Sequence, residues 1–158
     1  MLIGKNIKLR QLIKSDINFL YTIENDFKNY EYGHEHRDFT KQEIAEFISN
    51  SSLQNIHTHK QLRMIVTFKN IPIGILDLFN LNNSKGDLGI FIEEKYRMNG
   101  YAQESLNIFK EFCQLKLKIR TLYCKIKSNN IKSINLFKSV GFKEKSMLNQ
   151  YKYFKIDL

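Results

Sequence analysis

The chain of 158 residues is 42% hydrophobic and 26% charged, ordinary for a soluble globular fold and long enough for a core without disulfides or structural metal. Its formal net charge of +9 suits an anionic ligand, yet the lysines are scattered and no basic run interleaves with aromatics, so nucleic acid is not the expected partner. No apolar stretch reaches bilayer length, and charges interrupt "MLIGKNIKLRQL" too early for a secretion signal, which argues against a membrane or secreted class and for the cytoplasm.

One domain over residues 1–158 is expected, with no repeat, low-complexity tract or proline-rich linker. "NIKLRQL" alternates as a short strand, and "KSDINFLYTIEND" follows as a helix with Ser15 or Asp16 as its cap. A polar and aromatic loop, "FKNYEYGHEHRD", leads to "TKQEIAEFISN", where Thr40 and Glu43 form a capping-box pattern and Ile44, Phe47 and Ile48 share one face. "QLRMIVTFK" and "IPIGILDLFN" read as two strands joined by a tight turn at Asn70 to Pro72, and "GDLGIFI" as a third, reached through "NNSKG". Ala102, Leu106, Phe109, Cys113 and Leu117 then mark one helix face. "RTLYCKI" is a strand, "NNIKSINLFKSVGF" a helix ending at Gly141, and "NQYKYFKIDL" a closing strand. Cys113 and Cys124 fall on apolar positions and are read as buried thiols rather than a disulfide. The order implies a mixed α/β domain: a central, largely antiparallel sheet with helices on both faces.

Between "DLGIFIEE" and the apolar helix stands "KYRMNGYAQES". The first turn of a helix carries amide N–H groups without intrahelical partners, and the helix dipole favours negative charge there. Gly100 permits unusual backbone angles, Ala102 keeps the entrance narrow, and Arg97 can add a guanidinium. No G-x-x-x-x-G-K-[ST] and no strand-following G-x-G-x-x-G is present, which removes nucleoside-triphosphatase and dinucleotide readings. An anion-holding turn and an ordinary glycine-capped turn both fit this stretch alone.

The "R-x-x-G-x-A" pattern of Arg97, Gly100 and Ala102 resembles the pyrophosphate-binding motif of the GNAT superfamily of N-acetyltransferases. The resemblance covers nearly the whole chain. "IKLRQLIKSDINFLYTIEND", "IPIGILDLFNLN" and "LYCKIKSNNIKSINLFKSVGFKE" are similar to the branch containing ribosomal-protein N-terminal and spermidine N-acetyltransferases, with Asn130, Ser133, Gly141 and Phe142 carrying its "N-x-x-S … G-F" pattern. It implies six or seven strands and about four helices, with the fourth strand ("GDLGIFI") splayed from the fifth ("RTLYCKI") and the pantetheine arm of acetyl-CoA in the gap.

By that resemblance, the backbone of Phe91, Ile92 and Glu93 holds the pantetheine and polarises the acetyl carbonyl, and Met98, Asn99, Gly100, Tyr101, Ala102, Gln103 and Glu104, beside Arg97, hold the pyrophosphate. Asn130 and Ser133 lie near the thioester. The acceptor is a primary amine: a small amine, a polyamine or a peptide N-terminus. A lysine-like amine costs about 4.6 kcal/mol to neutralise at pH 7 and a peptide N-terminus about 1.4, so a base is expected. Candidates are Glu31, His34, Glu35, His36 and Asp77, with Tyr30, Tyr32, His34, Glu35 and Asp77 lining the acceptor pocket. Phe27 and Phe39 join that aromatic cluster or pack the loop. The His34/His36 and His57/His59 pairs lack further ligands nearby, so no metal is expected. A homodimer is a compatible assembly.

Many relatives carry "L-Y-x-x-x-G-F", whose tyrosine protonates the departing thiolate; here "LFKSVGF" puts Phe137 in its place. Ser133, Tyr151, Tyr153 or water are the available substitutes. The departure also motivates an alternative, a non-catalytic acyl-CoA-binding sensor. Net charge alone motivates a third, a ribosome- or RNA-associated basic protein.

Overall fold

The computed structural model describes residues 1–26, 28 and 37–158. The alternating runs become β2 (Ile7–Gln11), β3 (Leu62–Phe68), β4 (Ile71–Asn82), β5 (Lys85–Ile92), β6 (Thr121–Lys127) and β8 (Tyr151–Asp157). Two strands exceed the expectation: β1 (Leu2–Ile3), and β7 (Lys143–Leu148), where every residue is exposed and no apolar alternation marks it. The eight strands form one sheet in the order β1-β2-β3-β4-β5-β6-β8-β7. Every described pairing is antiparallel except β5 with β6.

Tight hairpins set the register. Lys69 and Asn70 adopt left-handed φ values of 49° and 64°, and Asn83 and Ser84 values of 43° and 63°, the geometry of two-residue turns that match strand twist. The first turn therefore closes before Pro72. That proline sits inside β4 opposite Thr67, at a register shift where its missing N–H is tolerated.

Five α-helices with assigned bounds lie among the described residues: α1 (Ile17–Glu24), α2 (Lys41–Asn50), α3 (Ile56–His59), α4 (Tyr101–Leu115) and α5 (Ile131–Ser139). The helix α2 starts with the expected capping box: Thr40 Oγ1 accepts from the Glu43 amide at 3.2 Å, and Glu43 Oε2 accepts from the Thr40 amide at 2.8 Å. Hydrogen bonding to Thr40 holds the Glu43 carboxyl below its ordinary pKa. Asp16 does not cap α1 in the expected way. Its buried carboxylate accepts both Arg10 guanidinium nitrogens at 2.7 Å and the Ile13 amide at 2.9 Å, fixing the chain between β2 and α1. The helix α5 ends as read, with Gly141 at φ 99° and the Phe142 amide donating back to Phe137.

The two sheet faces carry different helices. One packs Leu76, Leu78 and Leu88 against Leu106, Phe109 and Cys113 of α4 and Ile134 and Phe137 of α5. The other packs Ile65, Ile75 and Phe91 against Leu20 and Ile23 of α1 and Ile44 of α2. Both cysteines are buried free thiols, and burial raises both pKa values. No described helix is long and apolar enough to cross a membrane.

One long-range tie anchors the start of α4. Glu104 accepts from the Asn6 amide at 2.8 Å, Asn6 Nδ2 at 3.0 Å and the Ile7 amide at 3.3 Å. Partial burial alone would raise its pKa, but these donors outweigh it and hold the value below the ordinary 4.5. A folded value below the unfolded one means stability that is fully present above the unfolded pKa and lost as pH falls through the folded one. Glu104→Ala should therefore cost about 1–2 kcal/mol at pH 7 in urea unfolding, with the difference from wild type shrinking below about pH 4. An undiminished difference in acid would contradict a charge-assisted tie.

Candidate functional site

Parallel pairing of β5 with β6 lasts three residues: Lys85 with Thr121, Gly86 with Leu122 and Asp87 with Tyr123. Beyond Asp87 the strands diverge, because β5 stays in register with β4 as far as Ile92 while β6 follows β8. The result is an open edge on β5 from Leu88 to Ile92, facing an open edge on β6 from Cys124 to Lys127. A groove of about 2550 Å³ runs through this gap, lined by Asp77, Gly89, Ile92, Gly100, Asn130 and Phe137 among others.

Backbone direction alternates along β5, and hydrogen bonding fixes which groups face the gap. The Glu93 amide donates to Ile73 on β4 at 2.9 Å, so Glu93 and, by alternation, Phe91 turn toward β4. Ile92 and Ile90 turn toward the gap. Of the trio Phe91, Ile92 and Glu93, only Ile92 offers its amide there, and Ile90 is the partner that sequence reasoning missed. Strand alternation signals it once the pairing side is known. Glu93 also pairs with Lys95 at 3.2 Å.

At the wide end of the gap stands the turn into α4. Met98 and Gly100 have positive φ, 62° and 79°, the alternation that aims successive amides at one point. The amides of Met98, Asn99, Gly100, Tyr101, Ala102 and Gln103 donate to no acceptor among the described residues; the first committed one is Glu104, to Gly100 at 3.0 Å. Glu104 thus leaves the expected anion-binding set: its amide serves the helix and its carboxylate the N-terminal turn. Arg97 Nε donates to the Ile92 carbonyl at 2.8 Å, and its guanidinium lies 5.6 Å from the Phe91 ring centroid, which fixes the turn to the end of β5.

Across the gap, Asn130 caps α5, its Oδ1 accepting the Ser133 amide at 3.1 Å. Both residues line the groove. Phe137 is 3% exposed and meets Phe142 edge-on at 5.1 Å, so no proton donor occupies that place.

On the α1/α2 face, Asp77 stands opposite Arg63 on β3 and Gly89 on β5. Arg63 Nε and Nη2 donate to Asp77 at 2.6 and 2.9 Å, Nη1 donates to Glu24, and the guanidinium lies 4.9 Å from the Phe47 ring. Burial would lower the Arg63 pKa, but the two carboxylates outweigh it and raise the value. Asp77 is therefore a clamped carboxylate with one quarter of its side chain exposed, not an isolated base. Tyr30, Glu31, Tyr32, His34, Glu35, His36 and Phe27 lie outside the described residues. Phe39 packs with Ile44 and Phe47 beneath the Arg37 guanidinium. No three His, Cys, Asp or Glu side chains among the described residues gather as metal ligands.

A sheet opened between two parallel strands, with unpaired amides at the following helix, is the architecture of an acyl-CoA-dependent N-acetyltransferase. Residues 6–143 match the family model of the acetyltransferase (GNAT) domain, and the chain belongs to that family: it is an acetyl-CoA-dependent N-acetyltransferase acting on an amine. It is 23% identical over 141 residues to spermidine N(1)-acetyltransferase of Escherichia coli (strain K12), covering 87% of this chain and 73% of that protein. Two solved structures share the fold. Spermidine N-acetyltransferase from Vibrio cholerae, in complex with CoA and spermine, superposes with a TM-score of 0.85 at 20% identity, covering 98% of this chain and 96% of that one. Ribosomal-protein-S5-alanine acetyltransferase from Vibrio fischeri gives 0.83 at 15% identity, covering 98% and 94%.

Proposed function

We propose that this enzyme acetylates a primary amine of a small polyamine-like acceptor at the face bearing Asp77. The observation that carries the reading is the placement of two opposite electrostatic ends on one groove. Six unpaired amides and Arg97 gather at the α4 end, suited to a diphosphate. Asp77 and Arg63 line the other, with Glu24 paired to Arg63 behind them, two carboxylates to one guanidinium among these three, suited to an ammonium despite the +9 of the whole chain. The curated relatives matched by sequence, spermidine N(1)-acetyltransferases, support the same acceptor class.

Acetyl-CoA supplies the activated acetyl group as a thioester. In this reading the amides of residues 98–103 hold its diphosphate, and the Ile90 backbone with the Ile92 amide aligns the pantetheine as a neighbouring strand would, the Ile92 carbonyl being taken by Arg97. The same open edge offers N–H donors for charge developing on the acetyl oxygen, each such donor being worth about 3 kcal/mol when aimed correctly. Asn130 and Ser133 flank the opposite wall. Asp77, held in orientation by Arg63, receives the ammonium and keeps its nitrogen directed at the gap; one proton passes to solvent water before attack, and a second follows as the amide forms and the thiolate departs. Because Phe137 has no proton to give, the thiol leaves as thiolate, which a pKa near 8.5 makes tolerable.

The test is release of free thiol from acetyl-CoA with spermidine, spermine and an alanine-initiated peptide, beside calorimetry with coenzyme A. Spermidine should be acetylated with a kcat/KM at least about tenfold above the peptide, a margin of 1.4 kcal/mol. Preference for the peptide would move the acceptor to protein N-termini. Coenzyme A binding without thiol release from any amine would replace turnover by sensing, the reading that Phe137 motivates.

A further inference from the structure

Strands β4 and β5 hold three glycines, Gly74, Gly86 and Gly89, and their surroundings differ. A Cβ at Gly74 would lie 2.2 Å from the Phe91 carbonyl oxygen, and one at Gly86 would lie 2.8 Å from Leu78 Cδ1. Those two are demanded by close packing. Among the described residues, a Cβ at Gly89 would meet only Phe79 Cε1, at an ordinary 3.8 Å. Its φ is not in the left-handed region either, since Gly100 and Gly141 are the only described glycines there. Neither backbone nor packing asks for glycine at 89, and a strand interior disfavours it.

Its location supplies the missing reason. Gly89 is directly opposite Asp77, so its absent side chain would project on the face of the Glu24–Arg63–Asp77 cluster. It lies two residues past Asp87, the last residue of β5 that pairs with β6, and it lines the groove. The pantetheine arm has about twelve bonds between phosphate and sulfur, the backbone length of four residues, or about 13 Å of extended chain. Measured from the open edge at Ile92 toward the vertex of the gap, that length ends beside Leu88 and Gly89. The opposite face there is filled by Leu78 and Leu88 packed beneath α4, so among the described residues the approach left to an amine is from the Asp77 side.

We infer that Gly89 is a specificity-determining residue: its bare Cα is the window through which a primary aliphatic amine, held at Asp77, reaches the thioester. This rests on the acetyl-transfer reading above. Larger side chains at 89 close the window without touching the diphosphate turn or the core.

The experiment compares wild type with Gly89→Ala and Gly89→Val. Coenzyme A affinity by calorimetry should stay within about threefold of wild type, and the thermal midpoint should be equal or higher. The kcat/KM for spermidine should fall several-fold in G89A and at least about fiftyfold in G89V. Undiminished transfer in G89V overturns the inference. So does loss of coenzyme A binding, which would assign the glycine to the cofactor, or a lowered midpoint, which would assign it to the fold. If wild type releases no thiol, the acetyl-transfer reading fails by itself. Calorimetric binding of spermidine to the coenzyme A complex then still decides: its loss in G89V supports the window, its persistence overturns it, and its absence from wild type overturns both.

Discussion

Gly100→Val binds coenzyme A roughly a hundredfold more weakly than wild type, a loss of about 2.7 kcal/mol, while its thermal midpoint falls by only a few degrees. The two effects separate because of what surrounds the residue. Gly100 has φ 79°, and a Cβ built there meets no atom of the described residues within 4 Å. The folding penalty is therefore the left-handed backbone cost alone, about 1–2 kcal/mol for a residue with a side chain. That open space lies on the turn whose amides, from residues 98–103, donate to no acceptor among the described residues. An isopropyl group in it displaces phosphate oxygens from several N–H donors at once, each charge-assisted bond being worth about 1.5–3 kcal/mol. Calorimetry and a thermal scan on the same preparation decide the matter. Unchanged affinity would remove the diphosphate from this turn, and a large drop in melting temperature would make the turn a folding element instead.

Arg63→Met destabilises the protein by about 2–3 kcal/mol at neutral pH, and the loss shrinks in acid. Arg63 donates twice to Asp77 and once to Glu24 from a side chain only 17% exposed. Methionine fills most of the volume and keeps the contact with Phe47, so the change isolates charge. It leaves the Asp77 carboxylate without the two hydrogen bonds that Arg63 gives it. The lost interaction is one between charges, so its absence costs less in acid, where carboxylates are neutralised. Urea unfolding at pH 7 and pH 4.5 reads the effect. A deficit that is equal at both values would mean that packing, not charge, is what Arg63 supplies.

Local chemistry made much of this fold legible. The Thr40–Glu43 capping box, the Gly141 stop, the apolar face of α4 and the alternating strands each depend on residues within a few positions of one another. The motif of Arg97, Gly100 and Ala102 marked the turn with positive φ at Met98 and Gly100 for the same reason. What stayed hidden depends on partners far along the chain. Glu104 looks like a member of the turn and is instead committed to Asn6, 98 residues away. Asp77 looks like a free base until Arg63, 14 residues earlier, is brought opposite it. Glu93 and Ile92 cannot be told apart until one knows that Ile73 takes the Glu93 amide. The strand β7 lacked any pattern because none of its side chains is buried.

The three-residue junction between β5 and β6 has a consequence for the enzyme in its cell. Two small sheets are joined there as if by a hinge, and a bound thioester carrier would complete the backbone pairing that the polypeptide leaves unfinished. Rigidity would then be partly borrowed from a metabolite. By mass action a carrier present at a hundred times its dissociation constant adds about 2.7 kcal/mol to the folded state. Starvation for that carrier would loosen the catalyst as well as idle it.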